Sequence, residues 1–269
     1  MGILLEYCEG CNKHINQDIV GYSDNVYWVI DGATEVFSNY YLSSQGDVHW
    51  VVNTLNEELK KIDTALPVKE ILRTAIYKMN CKALNIAPEI QFQKLQTLPT
   101  YAICCIKCNQ DSIDYLCLGD CSLFTSGNPQ LRITDKRINP FHLYINLVKD
   151  KYKDIPSLYK EEVIKAVKKI KQFLNKEGGY WIGNFDPSIV DHAIVGTINV
   201  QKGDFFILCS DGFRPNLDEA RLIAYDSTKI FQKEYLVDIL CKQKESEISF
   251  YNKTGIDIMD DTTVLLAQI

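Results

Sequence analysis

Apolar residues recur along this chain at two spacings. Short unbroken runs at residues 26–30, 101–106, 113–118, 205–209 and 263–267 read as buried strands. Weaker runs at 131–134 and 194–200 extend the set. Gly and Asp bound many of them, as turns require. Between the runs the spacing changes to that of helices with one apolar stripe. Val48, Val51, Val52, Leu55, Leu59 and Ile62 make the first stripe. Val68, Ile71, Leu72, Ala75, Ile76, Met79 and Ala83 make the second, with Pro67 suited to the first turn. Val163, Val167, Ile170 and Leu174 predict a third helix over 159–174, and a fourth covers 230–246.

Helices and strands do not alternate one to one, which predicts layered α+β packing rather than a doubly wound parallel sheet. No repeat and no Pro/Gly/Ser-rich linker divides the sequence. The expectation is a single domain over residues 1–269, with 139–179 as an inserted helical segment between core strands.

Composition narrows the class. With 46% hydrophobic residues the chain can bury a core. A net charge of −6 argues against nucleic-acid binding, which usually needs a basic face. The lysines between Lys149 and Lys176 read as a solvated helix face. No secretory signal and no run of roughly 18 apolar residues is evident, so the expected protein is soluble and cytoplasmic, without a membrane partner.

Ten cysteines include two C-x-x-C pairs, Cys8/Cys11 and Cys105/Cys108. The pairs are too far apart for a zinc ribbon. Cys105 and Cys108 also fall on a predicted strand, where positions three apart face opposite sides. Buried free thiols are the better reading.

The acids fall in a pattern. Three predicted strands run into Asp31-Gly32, Gly119-Asp120 and Ser210-Asp211-Gly212. The last strand is preceded by Asp260-Asp261, and Asp18 ends a polar segment. In an antiparallel sheet the end of one strand and the start of another share an edge. Carboxylates meeting there repel at low dielectric, and an all-oxygen set suits Mg²⁺, Mn²⁺ or Ca²⁺. Each Asp-Gly alone is an ordinary turn signal; the ordered set is what points to a metal centre.

That set resembles the metal-dependent type-2C (PPM) Ser/Thr protein phosphatases, as a divergent, bacterial-like member. Lys13-His14-Ile15-Asn16-Gln17-Asp18 is similar to the opening motif, normally Arg followed by Asn-Glu-Asp. Val29-Ile30-Asp31-Gly32, Pro99-Thr100-Tyr101-Ala102 and Leu118-Gly119-Asp120 follow in the family's order. Leu208-Cys209-Ser210-Asp211-Gly212-Phe213 and Asp260-Asp261-Thr262-Thr263-Val264 match the Ser-Asp-Gly and Asp-Asn-x-Thr-Val motifs.

The resemblance implies a four-layer α-β-β-α sandwich with two central antiparallel sheets and two Mn²⁺ or Mg²⁺ ions between them. Asp31 would bridge the ions, the Gly32 carbonyl would bind one, and Asp211 and Asp260 the other. Asp18 would hold a metal-bound water or ligate directly, and Asp120 would support a weaker third site. A water bridging the ions would attack the phosphorus of phosphoserine or phosphothreonine in a phosphoprotein.

Lys13 stands where the family's Arg grips phosphate, as a point charge without a bidentate fork. Other departures are Ala33 in place of a Gly or His, Cys121-Ser122 after Asp120, and Pro215 in place of a further Asp, which leaves the third site short of the pattern. Two rival classes stay open. One is a pseudophosphatase that binds a phosphoprotein or partner without turnover. The other is an interaction domain whose Asp-Gly pairs are only turns.

Overall fold

The computed structural model describes residues 2–11, 15–33, 41–127, 130–213, 229–255 and 259–269. In chain order the elements are β1 (Gly2–Glu9), β2 (Asp18–Ser23), β3 (Val26–Gly32), α1 (Asp47–Leu59), α2 (Val68–Ile86), β4 (Tyr101–Cys108), β5 (Ser112–Leu118), β6 (Ser122–Thr125), β7 (Leu131–Ile133), α3 (Asn139–Tyr152), α4 (Pro156–Ile170), β8 (Ile194–Asn199), β9 (Phe205–Cys209), α5 (Lys233–Thr254) and β10 (Thr262–Gln268). The seven strands and four helices expected from the sequence are present, the fourth helix ending at Thr254 rather than at 246.

The strands form two antiparallel sheets of five, ordered β1-β10-β9-β6-β7 and β2-β3-β4-β5-β8. Strand alternation sorts the apolar side chains into three layers. On β4, Ile103 and Cys105 face α1 and α2, whereas Ala102, Cys104 and Ile106 face the other sheet. On β9 and β10, Phe206, Leu208, Leu265 and Ala267 join that inter-sheet core, while Ile207, Cys209, Val264 and Leu266 pack against α5. The order is therefore helices, sheet, sheet, helix, which is the four-layer α+β sandwich. Cys105 and Cys108 lie on opposite faces of β4, as the strand period requires.

Elements that the sequence pattern did not mark have local causes. β1 carries a register shift between Ile3 and Leu5. Leu4 and Leu5 consequently both pack toward α5, and the alternation is broken. β2 has Gly21 at its centre, opposite Trp28. A Cβ there would lie 2.5 Å from Trp28 Nε1 and 2.4 Å from Asn56 Oδ1, so the buried Trp28–Asn56 hydrogen bond excludes a side chain. β6 is only four residues long. α3 buries Ile145 but leaves Leu143 and Leu147 exposed, so it has no clean stripe.

α3 and α4 lie between β7 and β8. Lysines 151, 153, 160, 165, 168, 169 and 176 are exposed, and Lys171 is the buried exception. Among the described residues no helix is long and apolar enough to cross a membrane.

Candidate metal centre

The acidic residues gather at one end of the sandwich because of strand direction. β3 and β9 end there, β2 and β10 begin there, and the β5–β6 turn closes the same edge. Asp18 is the direct cross-strand partner of Asp31, just as Val20 is of Val29. Val20 and Val29 belong to the inter-sheet core, so by the period of two Asp18 and Asp31 share that face where the core runs out.

Asp18 is 6% exposed, and its Oδ2 has no hydrogen-bond partner among the described residues. Burial, countered in part by a hydrogen bond from Ser210, raises its carboxyl well above the usual range; the charges of Asp260, Asp261 and Asp211 add to the rise. Asp31 is raised well above the usual range too, first by burial and then by Asp18, Asp211, Asp120 and Asp260. Six carboxylates thus share one electrostatic neighbourhood. The Asp211 N–H approaches Asp31 Oδ2 at 3.4 Å, which ties β9's turn to the end of β3.

Asp261, next to Asp260, has a different task. Its Oδ1 accepts the Cys11 N–H at 2.8 Å and its Oδ2 accepts the Gln17 N–H at 2.6 Å. This one carboxylate holds both described ends of the β1–β2 connection against the start of β10. The Gln17 carbonyl in turn accepts the Gly32 N–H at 3.0 Å. The Gly212 carbonyl is fixed by Gln243 Nε2 of α5 at 2.7 Å and by the Thr262 hydroxyl at 3.2 Å. Gly212 must be glycine here, because a Cβ would sit 1.9 Å from the Asp261 carbonyl oxygen. The Ser210–Thr263 pairing, with the Thr263 N–H donating to Ser210 Oγ at 3.0 Å, locks the turn after β9 to β10.

Asp120 leaves the end of β5 and meets a residue that motif reading did not select. His142 of α3 places Nε2 3.2 Å from Asp120 Oδ2. Burial opposes protonation of His142, but the hydrogen bond and charge of Asp120 outweigh it and raise its pKa, helped by Asp211. Asp120, His142 and Asp211 each offer one ligand atom within 4.8 Å of the others. No local spacing announces His142, which lies in the inserted helical segment. Lys13 and His14 lie outside the described residues, as does Pro215.

The donor chemistry fits hard divalent cations. An unpartnered buried carboxylate oxygen, opposed carboxylates and carboxyls raised by one another's charge make a set of oxygen donors that suits such ions. Asp18, Asp31, Asp211 and Asp260 are the acids that could hold such an ion, while the described side chains whose ligand atoms lie within 4.8 Å of one another are Asp120, His142 and Asp211.

No protein-family model matches the sequence, and no curated protein is significantly similar to it. Solved structures do share its fold. The serine/threonine phosphatase PstP/Ppp of Mycobacterium tuberculosis superposes with a TM-score of 0.56 at 13% identity over 99% of each chain. Stp1, a serine/threonine phosphatase of Staphylococcus aureus, gives 0.57 at 12% identity over 100% of this chain and 96% of that one. The PstP catalytic domain solved with two manganese ions gives 0.53 at 15% identity over 99% of this chain and 98% of that one.

Proposed function

We propose that this chain is a metal-dependent phosphatase of the type-2C class, acting on phosphoserine and phosphothreonine in proteins with two Mn²⁺ or Mg²⁺ ions. The observation that carries the reading is the cross-strand opposition of Asp18 and Asp31, with Asp211 and Asp260 close enough to raise both carboxyls. Such a cluster is costly for a fold alone and is a natural cradle for cations. The shared fold with bacterial serine/threonine phosphatases, one of them solved with two manganese ions, supports the same reading.

Bound divalent ions would supply a water of lowered pKa and would neutralise charge on the phosphoryl oxygens. The chain's own part is positional. Asp18 and Asp31 stand on one sheet, and Asp211 and Asp260 in the turns after β9 and before β10 of the other, so the proposed ligands come from both layers. Asp261, Gln243 and Thr262 fix the turns that carry Asp260 and Asp211. Lys13 is proposed, from its place in the sequence alone, to hold the substrate phosphate as a point charge.

The test is hydrolysis of an aryl phosphate and of a phosphothreonine peptide in EDTA, Mg²⁺ or Mn²⁺, with Asp31→Asn and Asp211→Asn alongside. The expected result is Mn²⁺-dependent turnover lost in both variants. Stabilisation by Mn²⁺ without turnover would establish the pseudophosphatase instead. Neither effect would mean that the aspartates are turn residues.

A further inference from the structure

α3 begins at the acids of the candidate centre and leads away from them. His142 stands against Asp120, and its neighbour Phe141 packs on the rings of Tyr180 at 4.9 Å and Phe173 at 5.5 Å. Phe141 thereby joins a small core of Ile138, Leu174, Tyr180 and Ile182 that anchors the start of the helix. Counting from His142, Asn146, Lys149 and Lys153 follow at spacings of four, three and four residues, and Lys153 still has helical backbone angles. At 3.6 residues per turn, all three lie within about 40° of His142 on one face of the helix. Asp150 and Asp154 fall about 80° and 120° away from that line. Burial and the charge of Lys149 oppose protonation of His142 against the pull of Asp120, so Lys149 is within electrostatic reach of the centre's edge.

This stripe belongs to the basic part of an acidic chain. Residues 139–176 hold nine lysines against four acids, a net +5, so the rest of the chain, from a total of −6, carries −11. Lysines on α4 are matched in place. Lys165 pairs with Glu161 and Glu162 at 2.8 Å, and Lys169 lies over the Tyr144 ring at 5.1 Å. Lys153 is exposed, with no ion pair or ring contact among the described residues.

We propose that the Asn146–Lys149–Lys153 stripe of α3 is a docking track for acidic side chains that flank the phosphorylated residue. The substrates are then phosphoproteins whose phosphorylated site lies in an acidic segment. A chain of this net charge would otherwise repel such a segment, and a basic segment would meet like charge along the stripe. Lys149 and Lys153 lie about 10 and 16 Å along the helix axis from His142. An extended peptide advances about 3.3 Å per residue, so the two lysines meet side chains roughly three to five residues from the phosphorylated one. As point charges they select for acidity without demanding one bidentate geometry. This inference rests on the reading of the acid cluster as the place where a phosphorylated residue binds.

The test uses the full chain with Mn²⁺ and labelled phosphothreonine peptides of one length, flanked by Glu, Ala or Lys. Binding is followed by fluorescence anisotropy. Turnover of an aryl phosphate, which has no flanking residues, is followed separately. The Glu-flanked peptide is expected to bind wild type about five- to tenfold more tightly than the Ala-flanked one, and the Lys-flanked peptide more weakly than either. In about 1 M salt, where the Debye length is about 3 Å, most of the difference should vanish. Lys149→Glu/Lys153→Glu should reverse the order. Lys160→Glu/Lys165→Glu, which removes the same charge from α4, should keep it. Equal affinity of wild type for the three peptides, or equal loss of preference in the two double variants, overturns the track. If Mn²⁺-dependent turnover of the aryl phosphate persists in that case, only the docking inference is wrong. If no peptide binds and the aryl phosphate is not hydrolysed, the underlying reading fails with it.

Discussion

Asp18 and Asp31 stand directly opposite each other across the β2–β3 ladder, on the face that looks toward the second sheet. Directly opposed side chains in an antiparallel pair have Cβ atoms about 5 Å apart, and like charges there are destabilising. A sheet built for stability alone would place an apolar or oppositely charged pair at this position. On the proposed reading, the pairing would couple cation binding to fold stability.

In EDTA, Asp31→Asn is expected to melt several degrees above wild type, because it removes one of the opposed charges. Mn²⁺ reverses the order. A ligand at about 100 times its Kd adds about 2.7 kcal/mol, or roughly 5–10 °C for a domain near this size. Asp31→Asn should gain little. Melting curves with and without Mn²⁺ decide it; a metal-free variant less stable than wild type, with the same Mn²⁺ gain, would sink the idea.

The pH dependence of the metal-free protein follows from the same carboxyls. Asp18 and Asp31 keep their protons to higher pH when folded than when unfolded, where the pKa is about 3.9. The folded state binds more protons from about pH 4 up through the raised folded values, so stability falls as pH rises across that window. His142, raised by Asp120 against the effect of burial, acts in the same direction, its contribution being lost as pH climbs through its folded value. Urea unfolding in EDTA should show wild type more stable at pH 5 than at pH 7.5, with a smaller difference in Asp31→Asn. An equal pH difference in the two proteins would refute the assignment.

Asp261 is expected to be a structural clamp. Asp261→Ala strands the N–H groups of Cys11 and Gln17 and should cost about 2–4 kcal/mol in denaturant unfolding. Asp261→Asn keeps one acceptor and should cost less. Equal stability of Asp261→Ala and wild type would show that the connection between β1 and β2 is held by other contacts.

Gly212→Ala forces a methyl to within 1.9 Å of the Asp261 carbonyl oxygen. The turns bearing Asp211 and Asp260 must then separate. The expected outcome is a loss of at least about 2 kcal/mol of stability together with weaker Mn²⁺ binding. Gly2→Ala, where an added methyl meets nothing within 4 Å, is the control. Calorimetric Mn²⁺ titration of the two variants distinguishes a displaced site from a general loss of fold.

Much of this protein was determined locally. The runs at β3, β4, β5, β9 and β10 and the stripes of α1 and α2 are set by the period of each element, so neighbours along the chain suffice to read them. The Asp-Gly pairs at strand ends were legible for the same reason, since a strand's end is a local event. The tertiary structure alone decided what those ends meet. The opposition of Asp18 and Asp31 depends on the β2–β3 register, and β2 itself was hidden because Gly21 makes room for Trp28. Asp260 and Asp261 are adjacent acids of one motif, yet Asp261 is committed to backbone N–H groups some 250 positions away in sequence. His142 sits on a helix with almost no buried stripe, and it finds Asp120 and Asp211 only once α3 is docked through Phe141. Periodicity carries information over one or two turns of chain; which side chains share a site is set by long-range pairing and packing, and that is written in no single segment.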